Sequence, residues 1–413
     1  MRKNLTGKNK FPIDTPTACR WKWAWSSLYL NSGQTSSCHR ASFSKIDVDN
    51  FDTFHNRPEK ISARKIMLDG QWPAGGCEYC QRIEVASGVS DRIHQNTRPH
   101  YPIELDSDAT AVVVSPVELE VFINNTCNLS CVYCNGAYSS SIAREDKKHD
   151  VQLSSYIDRS YAVADNDPAL LQKFVQWFEE NGHDLKRLNI LGGEPLYQKE
   201  FYKLLEVIEK HPNKNLELAV TTNLMVPDRY IEQFYTTATR MLHNRCVKTI
   251  DLQCSVEGLG PAQEYSRFGF YSNQWCAKFE KFFYDSNFRM MFLSTVNILV
   301  VEDMLALAQQ WLQWKKHKNI HWSIHDVLPE SNCLNLSHHN NEVYNDRLQA
   351  VLDCIDDEQT YNLLNSIVKK ANASAIDVEK QKQLHAFLQE VDRRRATNWQ
   401  ETFPWLTKYL ESV

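Results

Sequence analysis

Between residues 117 and 327 one pattern recurs: a short alternating apolar run followed by a longer stretch with helical spacing. The strand candidates are Val117 to Asn124, Arg187 to Leu191, Asn215 to Asn223, Thr249 to Glu257, Met290 to Ile298 and Ile320 to Val327. One helix is expected to start at Asp167-Pro168, an N-cap followed by proline at the first helical position. Others are expected near Lys199 to His211, Asp228 to Leu242 and Glu302 to Lys316. Strands that alternate with helices predict an α/β fold on a parallel sheet.

Several strand candidates also divide into two faces, because successive side chains point to opposite sides. Ile250, Leu252, Cys254 and Val256 oppose Asp251, Gln253, Ser255 and Glu257. Val117, Leu119, Val121 and Ile123 oppose Glu118, Glu120, Phe122 and Asn124, and Leu216, Leu218 and Val220 oppose Glu217, Thr221 and Asn223. With helices over the apolar face, the polar face must line something wet or ligand-filled. A solvent-facing antiparallel sheet would alternate in the same way, but the helices between the strands argue against it.

The chemistry concentrates at the end of the first strand. Cys127, Cys131 and Cys134 fall within eight residues, in the order Cys127-Asn-Leu-Ser-Cys131-Val-Tyr-Cys134. A tetrahedral zinc site or an ordinary cubane cluster takes four protein ligands, so three thiols on one loop leave a metal vertex open for chemistry. A zinc knuckle or a chance grouping of thiols would give the same spacing. A second motif, Leu191-Gly192-Gly193-Glu194-Pro195, follows the next strand. Paired glycines let backbone approach a ligand closely, and a carboxylate beside them suits a cationic amine. An ordinary strand-to-helix turn uses the same residue types.

The two motifs in this order resemble the radical S-adenosylmethionine (SAM) enzymes. The resemblance implies a partial (β/α)6 TIM-like barrel, open on one side. Cys127, Cys131 and Cys134 would hold a [4Fe-4S] cluster whose open iron site chelates SAM. One electron would then cleave SAM to a 5'-deoxyadenosyl radical that abstracts hydrogen from a substrate. Gly192, Gly193, Glu194 and Pro195 would hold the methionyl ammonium, and Tyr133 would lie near the adenine. Asn223, Ser255, Glu257 and Asn297 resemble the family's ribose- and carboxylate-contacting positions, although many relatives have Asp where Glu257 stands. Each alone is equally a capped strand end. Arg267 stands where peptide-modifying relatives often have an arginine near the cofactor carboxylate, and an exposed loop charge is the plainer reading.

The first hundred residues read as irregular, Trp- and Cys-rich structure with one hairpin: a strand from Trp21 to Leu30, a turn at Asn31-Ser32-Gly33, and a return from Gln34 to Cys38. The stretch Cys19-x13-Gly33-x4-Cys38 resembles the auxiliary-cluster hairpin of twitch and SPASM modules, here before the barrel instead of after it. That likeness implies a second [4Fe-4S] cluster on Cys19, Cys38, Cys77 and Cys80. Structural zinc on the same thiols, or unrelated buried cysteines, are the alternatives. Residues 101–116 read as a linker carrying Pro102 and Pro116.

Beyond about Leu328 the alternation gives way to helical patterns at Asn340 to Cys354, Thr360 to Lys370 and Asp377 to Arg395, expected to pack across the barrel mouth. The expected units are thus residues 1–111, a Cys-rich auxiliary module with its linker; 112–330, the barrel; and 331–413, a helical C-terminal segment. Cys246, Cys254, Cys276, Cys333 and Cys354 read as structural thiols. His321, Ser323 and His325 share one face of the last strand, either toward substrate or as hydrogen-bonded barrel residues.

With 413 residues, 42% hydrophobic, the chain has material for large cores. Its net charge of −5 gives no positive field to draw in nucleic acid, with Arg393-Arg394-Arg395 the basic run set against that. No apolar run of signal-peptide or membrane length follows the basic stretch Met1 to Lys10, so a cytoplasmic, membrane-free protein is expected. The family resemblance implies a reducing partner such as flavodoxin or ferredoxin. It also implies a peptide or protein substrate, or else a small molecule that is dehydrogenated or rearranged. A non-catalytic zinc-binding interaction protein is the contrasting class.

Overall fold

The structure is a computed structural model that describes residues 11, 13–87, 90–97, 111–162 and 165–411. The basic stretch Met1 to Lys10 and most of the expected linker, Pro102 included, lie outside the described residues. In chain order the strands are β1 (Trp25–Tyr29), β2 (Gln34–Ser36), β3 (Ser44–Lys45), β4 (Glu118–Phe122), β5 (Ser130–Cys131), β6 (Arg187–Leu191), β7 (Glu217–Thr222), β8 (Thr249–Ser255), β9 (Arg267–Phe268), β10 (Arg289–Val296) and β11 (Ile320–Asp326). Nine of them form one sheet in the order β11-β10-β8-β7-β6-β4-β1-β2-β3.

The run from β4 to β11 is parallel throughout and contains the six expected strands, so the fold is the α/β partial (β/α)6 barrel. The helices also form where expected. Pro168–Asn181 is capped by the Asp167 side chain, which accepts from the Ala169 amide at 2.9 Å. Lys199–Lys210, Asp228–His243 and Met304–Lys315 follow, each burying one face on the sheet with residues such as Phe201, Phe234 and Trp311.

The polar face of the sheet is not uniformly wet. Toward the N-terminal strand ends it is closed by ion pairs: Arg187 to Asp251 at 2.7 Å, Arg289 to Asp251 at 2.6 Å and Lys248 to Glu217 at 2.9 Å. Charged side chains that would be costly to bury singly neutralise one another there. The layer toward the C-terminal strand ends, with Thr221 and Ser255, faces a cavity, which on the last two strands reaches down to Met291 and His321. Barrel folds place their chemistry at that end.

The N-terminal region departs from expectation in two ways. Arg20–Ala24 is a short helix, so the strand begins at Trp25 and not at Trp21. Residues 58–97 are not irregular but hold helices at Pro58–Leu68, Cys77–Ser87 and Asp91–Thr97. The first of these turns Lys60, Arg64 and Met67 inward, and a buried face made mostly of cations carries no amphipathic signature. Their charges are met by neutral oxygens: Lys60 Nζ donates to Ser26 Oγ and Thr35 Oγ1, both at 2.8 Å, and Arg64 Nε to the Lys22 carbonyl at 2.6 Å.

The hairpin of this region pairs in parallel with β4, from Trp25 opposite Glu118 to Tyr29 opposite Phe122. Residues 25–45 therefore extend the barrel sheet past its first strand. At the far edge β11 is covered by helix Glu358–Asn372, whose Thr360 hydroxyl donates to the Trp322 carbonyl at 3.1 Å. The C-terminal segment also holds the helices Asn345–Cys354, Val378–Arg395, Trp399–Thr402 and Pro404–Glu411. Among the described residues no helix is long and apolar enough to cross a membrane.

Candidate active site at the C-terminal strand ends

The cysteine loop is fixed by side-chain and backbone hydrogen bonds within it and to the helix that follows. Asn125 donates to the Gly136 carbonyl at 2.9 Å, and the Cys127 amide donates to Ser140 Oγ at 3.1 Å. The Cys134 amide donates to the Cys131 carbonyl at 3.1 Å, which makes the last part of the loop a tight turn. Ser130 and Cys131 pair with Phe268 and Arg267 as a two-stranded antiparallel ribbon, β5 with β9. The segment after β8 is thereby tied to the loop, a connection the linear sequence does not reveal.

The Gly-Gly-Glu-Pro loop sits directly against this one. Gly193 has φ +50°, and a Cβ there would stand 2.2 Å from the Thr126 carbonyl oxygen, so only glycine allows the approach. The Glu194 amide donates to that same carbonyl at 2.8 Å. Gln198 Nε2 adds bonds to the carbonyls of Gly192 at 2.7 Å and Thr126 at 3.2 Å.

Glu194 is fully buried and oriented from three sides. Its carboxylate accepts from Thr222 Oγ1 at 2.6 Å, the Asn223 amide at 2.6 Å and the Leu196 amide at 3.1 Å. Burial outweighs these bonds and pushes its pKa up to about 7. A cation placed beside it would restore the charged form.

Cys127, Cys131, Cys134, Tyr133, Gly192, Gly193, Glu194, Asn223, Ser255 and Arg267 all line one cavity of about 900 Å³. None of the twelve cysteines forms a disulfide. Burial raises the three loop thiols, that of Cys131 to about 11, while the Arg267 guanidinium works the other way on Cys131. Arg267 Nη1 donates to Cys131 Sγ at 3.7 Å. The donor set suits an iron-sulfur cluster: unpaired thiols on one rigid loop, a cation beside them to stabilise thiolate, and cavity in front.

Three of the expected contacts stand elsewhere. Glu257 is not among the cavity-lining residues. It is fully buried and takes both Arg267 Nε at 2.7 Å and Nη2 at 2.6 Å, with the Tyr133 hydroxyl at 3.0 Å and Gln263 at 3.1 Å. A carboxylate so fully engaged aims Arg267 and Tyr133 and has no free lone pair for a ribose. Asn297 is also fully buried, its Oδ1 accepting from the Leu299 amide at 3.1 Å in the turn after β10. Pro195 begins the 3-10 turn Pro195–Tyr197 that Glu194 caps.

Other lining residues carried no motif. Arg159 Nη1 donates to the Tyr133 carbonyl at 2.5 Å and its charge lowers the Cys134 thiol against burial. Tyr138 lines the cavity beside Phe122, their rings 5.6 Å apart, and Phe122 stacks on Tyr29 at 4.3 Å. Arg159 and Tyr138 lie in loops, where no periodicity marks them. His321, Ser323 and His325 face the cavity, with Ser323 Oγ and His325 Nε2 2.8 Å apart. His39, Arg40, Asp91 and His94 of the N-terminal region form the facing wall. Burial lowers the His325 pKa, and the charges of His39 and Arg40 reach it from that wall. The N-terminal region thus closes the open side of the barrel. Gln359 and Leu363 of the C-terminal segment complete the lining.

The four cysteines of the expected second set come from three neighbouring segments. Cys19 caps helix Arg20–Ala24, Cys38 follows β2, and Cys77 and Cys80 stand on the first turn of helix Cys77–Ser87. Gly76 packs on the Arg40 carbonyl, where a Cβ would come within 1.9 Å, so the loop before Cys77 rests on the turn after Cys38. Burial raises these thiols, Cys19 to about 12, with neighbouring sulfurs adding to it. Lys22, itself buried, opposes that shift at Cys19, Cys38 and Cys77, and its Nζ donates to Ser37 Oγ at 2.9 Å. Among the described residues no three or more His, Cys, Asp or Glu side chains are grouped as ligands of a single metal ion. Cys254 lies buried on the helix-facing side of β8, as its place in the alternation implies.

Residues 121–244 match the family model of the Radical SAM superfamily. No curated protein matches the chain. Among solved structures, native anSMEcpe with bound AdoMet is 18% identical with a TM-score of 0.37, over 63% of this chain and 64% of that one. SuiB of Streptococcus suis bound to S-adenosylmethionine is 13% identical with a TM-score of 0.37, over 73% of this chain and 61% of that one. SuiB bound to the precursor peptide SuiA is 12% identical with a TM-score of 0.36, over 89% and 68%. The chain therefore spans less than two thirds of the length of the first two.

Proposed function

We propose, from the match of residues 121–244 to the Radical SAM superfamily model, that the chain is an enzyme whose Cys127, Cys131 and Cys134 hold a [4Fe-4S] cluster. SAM would bind at the iron these thiols leave open. When bound, the cluster would supply the electron that cleaves SAM reductively and releases the 5'-deoxyadenosyl radical. The chain's own residues bind, orient and shield. Glu194 and the Gly192 and Gly193 backbone would hold the methionyl ammonium; Arg267, aimed by Glu257, would take its carboxylate; Tyr133 and Asn223 would hold the nucleoside; and Ser255 would contribute a hydroxyl. The cavity walls exclude water from the radical.

The observation that carries this reading is the convergence of three thiols, a carboxylate oriented from three sides and a guanidinium on one cavity at the C-terminal strand ends. Anaerobically reconstituted protein should be brown and should release methionine and 5'-deoxyadenosine when reduced. The Cys131→Ala variant should not. Retained cleavage by that variant, or a colourless wild-type protein holding only zinc, would overturn the reading.

For the second thiol set the proposal is a second [4Fe-4S] cluster on Cys19, Cys38, Cys77 and Cys80. The substrate class proposed is a peptide or protein. Its support is the mixed lining of the cavity, in which Trp21, His39, His94, Met291, His321 and His325 join the thiols, which suits a side chain with polar and apolar parts. A small molecule is the second reading, favoured by the cavity volume of about 900 Å³, which lies within the usual range of small-molecule pockets. Neighbouring genes separate the two: a short precursor-peptide gene favours the first, and a sugar or nucleotide pathway the second. The electron donor proposed is a flavodoxin or ferredoxin.

A further inference from the structure

The helix Ser140–His149, which follows the cysteine loop, sorts its charges by face. Asp146 and Glu145 turn toward the helix Val378–Arg395, where Arg394 Nη1 meets Asp146 at 2.8 Å and Arg395 Nε meets Glu145 at 3.3 Å. Two guanidiniums of Arg393-Arg394-Arg395 are thereby interior, so that run is not the basic surface its sequence suggests. The basic surface lies on the opposite side of the shorter helix. Arg144, Lys147 and Lys148 are exposed, and spacings of three and four residues set them side by side on one face. Arg144 bonds only to Ser140 and Ser141 of its own helix, and Lys147 and Lys148 make no ion pair among the described residues. Arg393, with its Nη2 3.4 Å from His149 Nδ1, extends the patch. The helix dipole favours cations at Lys147 and Lys148, in the last turn, but does nothing for Arg144 in the middle.

The same face leads to the candidate active site. The N-cap Ser139 lines the cavity. Ser141 Oγ donates to the Cys127 carbonyl at 2.8 Å, and Ser140 Oγ accepts from the Cys127 amide at 3.1 Å. Arg144 Nη2 donates to Ser141 Oγ at 3.3 Å, so an exposed guanidinium stands two hydrogen bonds from the Cys127 backbone. At the usual helical rise Lys148 lies about 12 Å along the axis from Ser140. Electron transfer through protein weakens steeply with separation, and this span is short.

Resting on the cluster reading above, we infer that this face is the docking surface of the electron donor, a small acidic protein carrying a one-electron centre. The chain's net charge of −5 offers an acidic partner no general attraction, so local cations must supply it. Transient redox complexes bury less than about 1,200 Å² in total, and one helix face with its flank is enough. Nucleic acid fits less well, because the helix carries no aromatic residue on which a base would stack.

The test uses the reconstituted full chain with purified flavodoxin as the probe. Calorimetric binding of oxidised flavodoxin should weaken about tenfold in Lys147→Glu with Lys148→Glu, and wild-type binding should weaken as salt is added. Lys210→Glu with Lys214→Glu, an equal change of net charge at the N-terminal strand ends, should bind as wild type does. Cleavage of SAM driven by reduced flavodoxin should need correspondingly more of it in the first variant, while cleavage driven by dithionite keeps the wild-type rate. If the first variant loads no cluster, Lys147→Gln with Lys148→Gln is read in its place. The inference is overturned by a wild-type chain that binds no flavodoxin or binds it regardless of salt, by unchanged binding in the first variant, by equal losses in both variants, or by a first variant that loses RNA and keeps flavodoxin. A wild-type chain that cleaves no SAM even with dithionite instead overturns the cluster reading.

Discussion

Glu194 offers the sharpest quantitative test of the proposed cofactor site. Its carboxylate is fully buried, and its pKa stands at about 7 against an ordinary 4.5. That displacement is on the order of 3 kcal/mol in favour of the protonated form. The folded pKa lies above the unfolded one, so the group's contribution to folding stability is complete below the unfolded value and is lost as pH rises through about 7. Ligand binding runs the other way. An ammonium group needs the carboxylate, so apparent affinity for SAM should fall about tenfold for each pH unit below 7, in proportion to the ionised fraction. Equilibrium titration of the reconstituted protein with SAM between about pH 5.5 and 7.5 measures this directly. Glu194→Gln should bind more weakly throughout and lose the slope, since its amide does not titrate. A wild-type affinity flat across that range, or an equal slope in Glu194→Gln, would refute the assignment of the ammonium to Glu194.

Two further outcomes follow from the same geometry. Glu257→Met leaves the Arg267 guanidinium buried and uncompensated, which should cost about 3–5 kcal/mol in thermal or denaturant unfolding, whereas Glu257→Met with Arg267→Met should recover most of that loss. Simple addition of the two effects would show the pair to be uncoupled. Cys77→Ala should keep the first cluster and lose the iron of the second, about half of the roughly eight irons that two cubanes hold. Iron content equal to wild type would remove Cys77 from the ligand set.

The barrel was legible because its strands obey a strict two-residue alternation over a helix-covered face. Arg187–Leu191 matches its expected span, and Thr249–Ser255 and Ile320–Asp326 end within two residues of theirs. The cysteine loop and the Gly-Gly-Glu-Pro loop were legible because both are local motifs. What escaped was whatever depends on chain segments distant in sequence. Glu257 looks like a strand-end ligand until Arg267 and Tyr133 are seen to take its oxygens. Asn297 likewise serves its own turn. The helices of residues 58–97 escaped because their inward faces include Lys60, Arg64 and Arg92: Lys60 bonds hairpin oxygens, Arg64 the Lys22 and His55 carbonyls, and Arg92 the Ala18 carbonyl and Glu84. Arg159 reaches the site from a loop, and no spacing rule joins it to the cysteines.

The central claim is that three thiols leave one iron of a cubane open to SAM. It is tested most directly by recording the electron paramagnetic resonance spectrum of the reduced, reconstituted protein before and after SAM is added, with the second cluster removed by Cys77→Ala. The account predicts a [4Fe-4S] signal whose shape changes on addition, because SAM becomes a ligand of the cluster. A spectrum that SAM leaves unchanged, or a loop that takes up zinc and no iron, would contradict it.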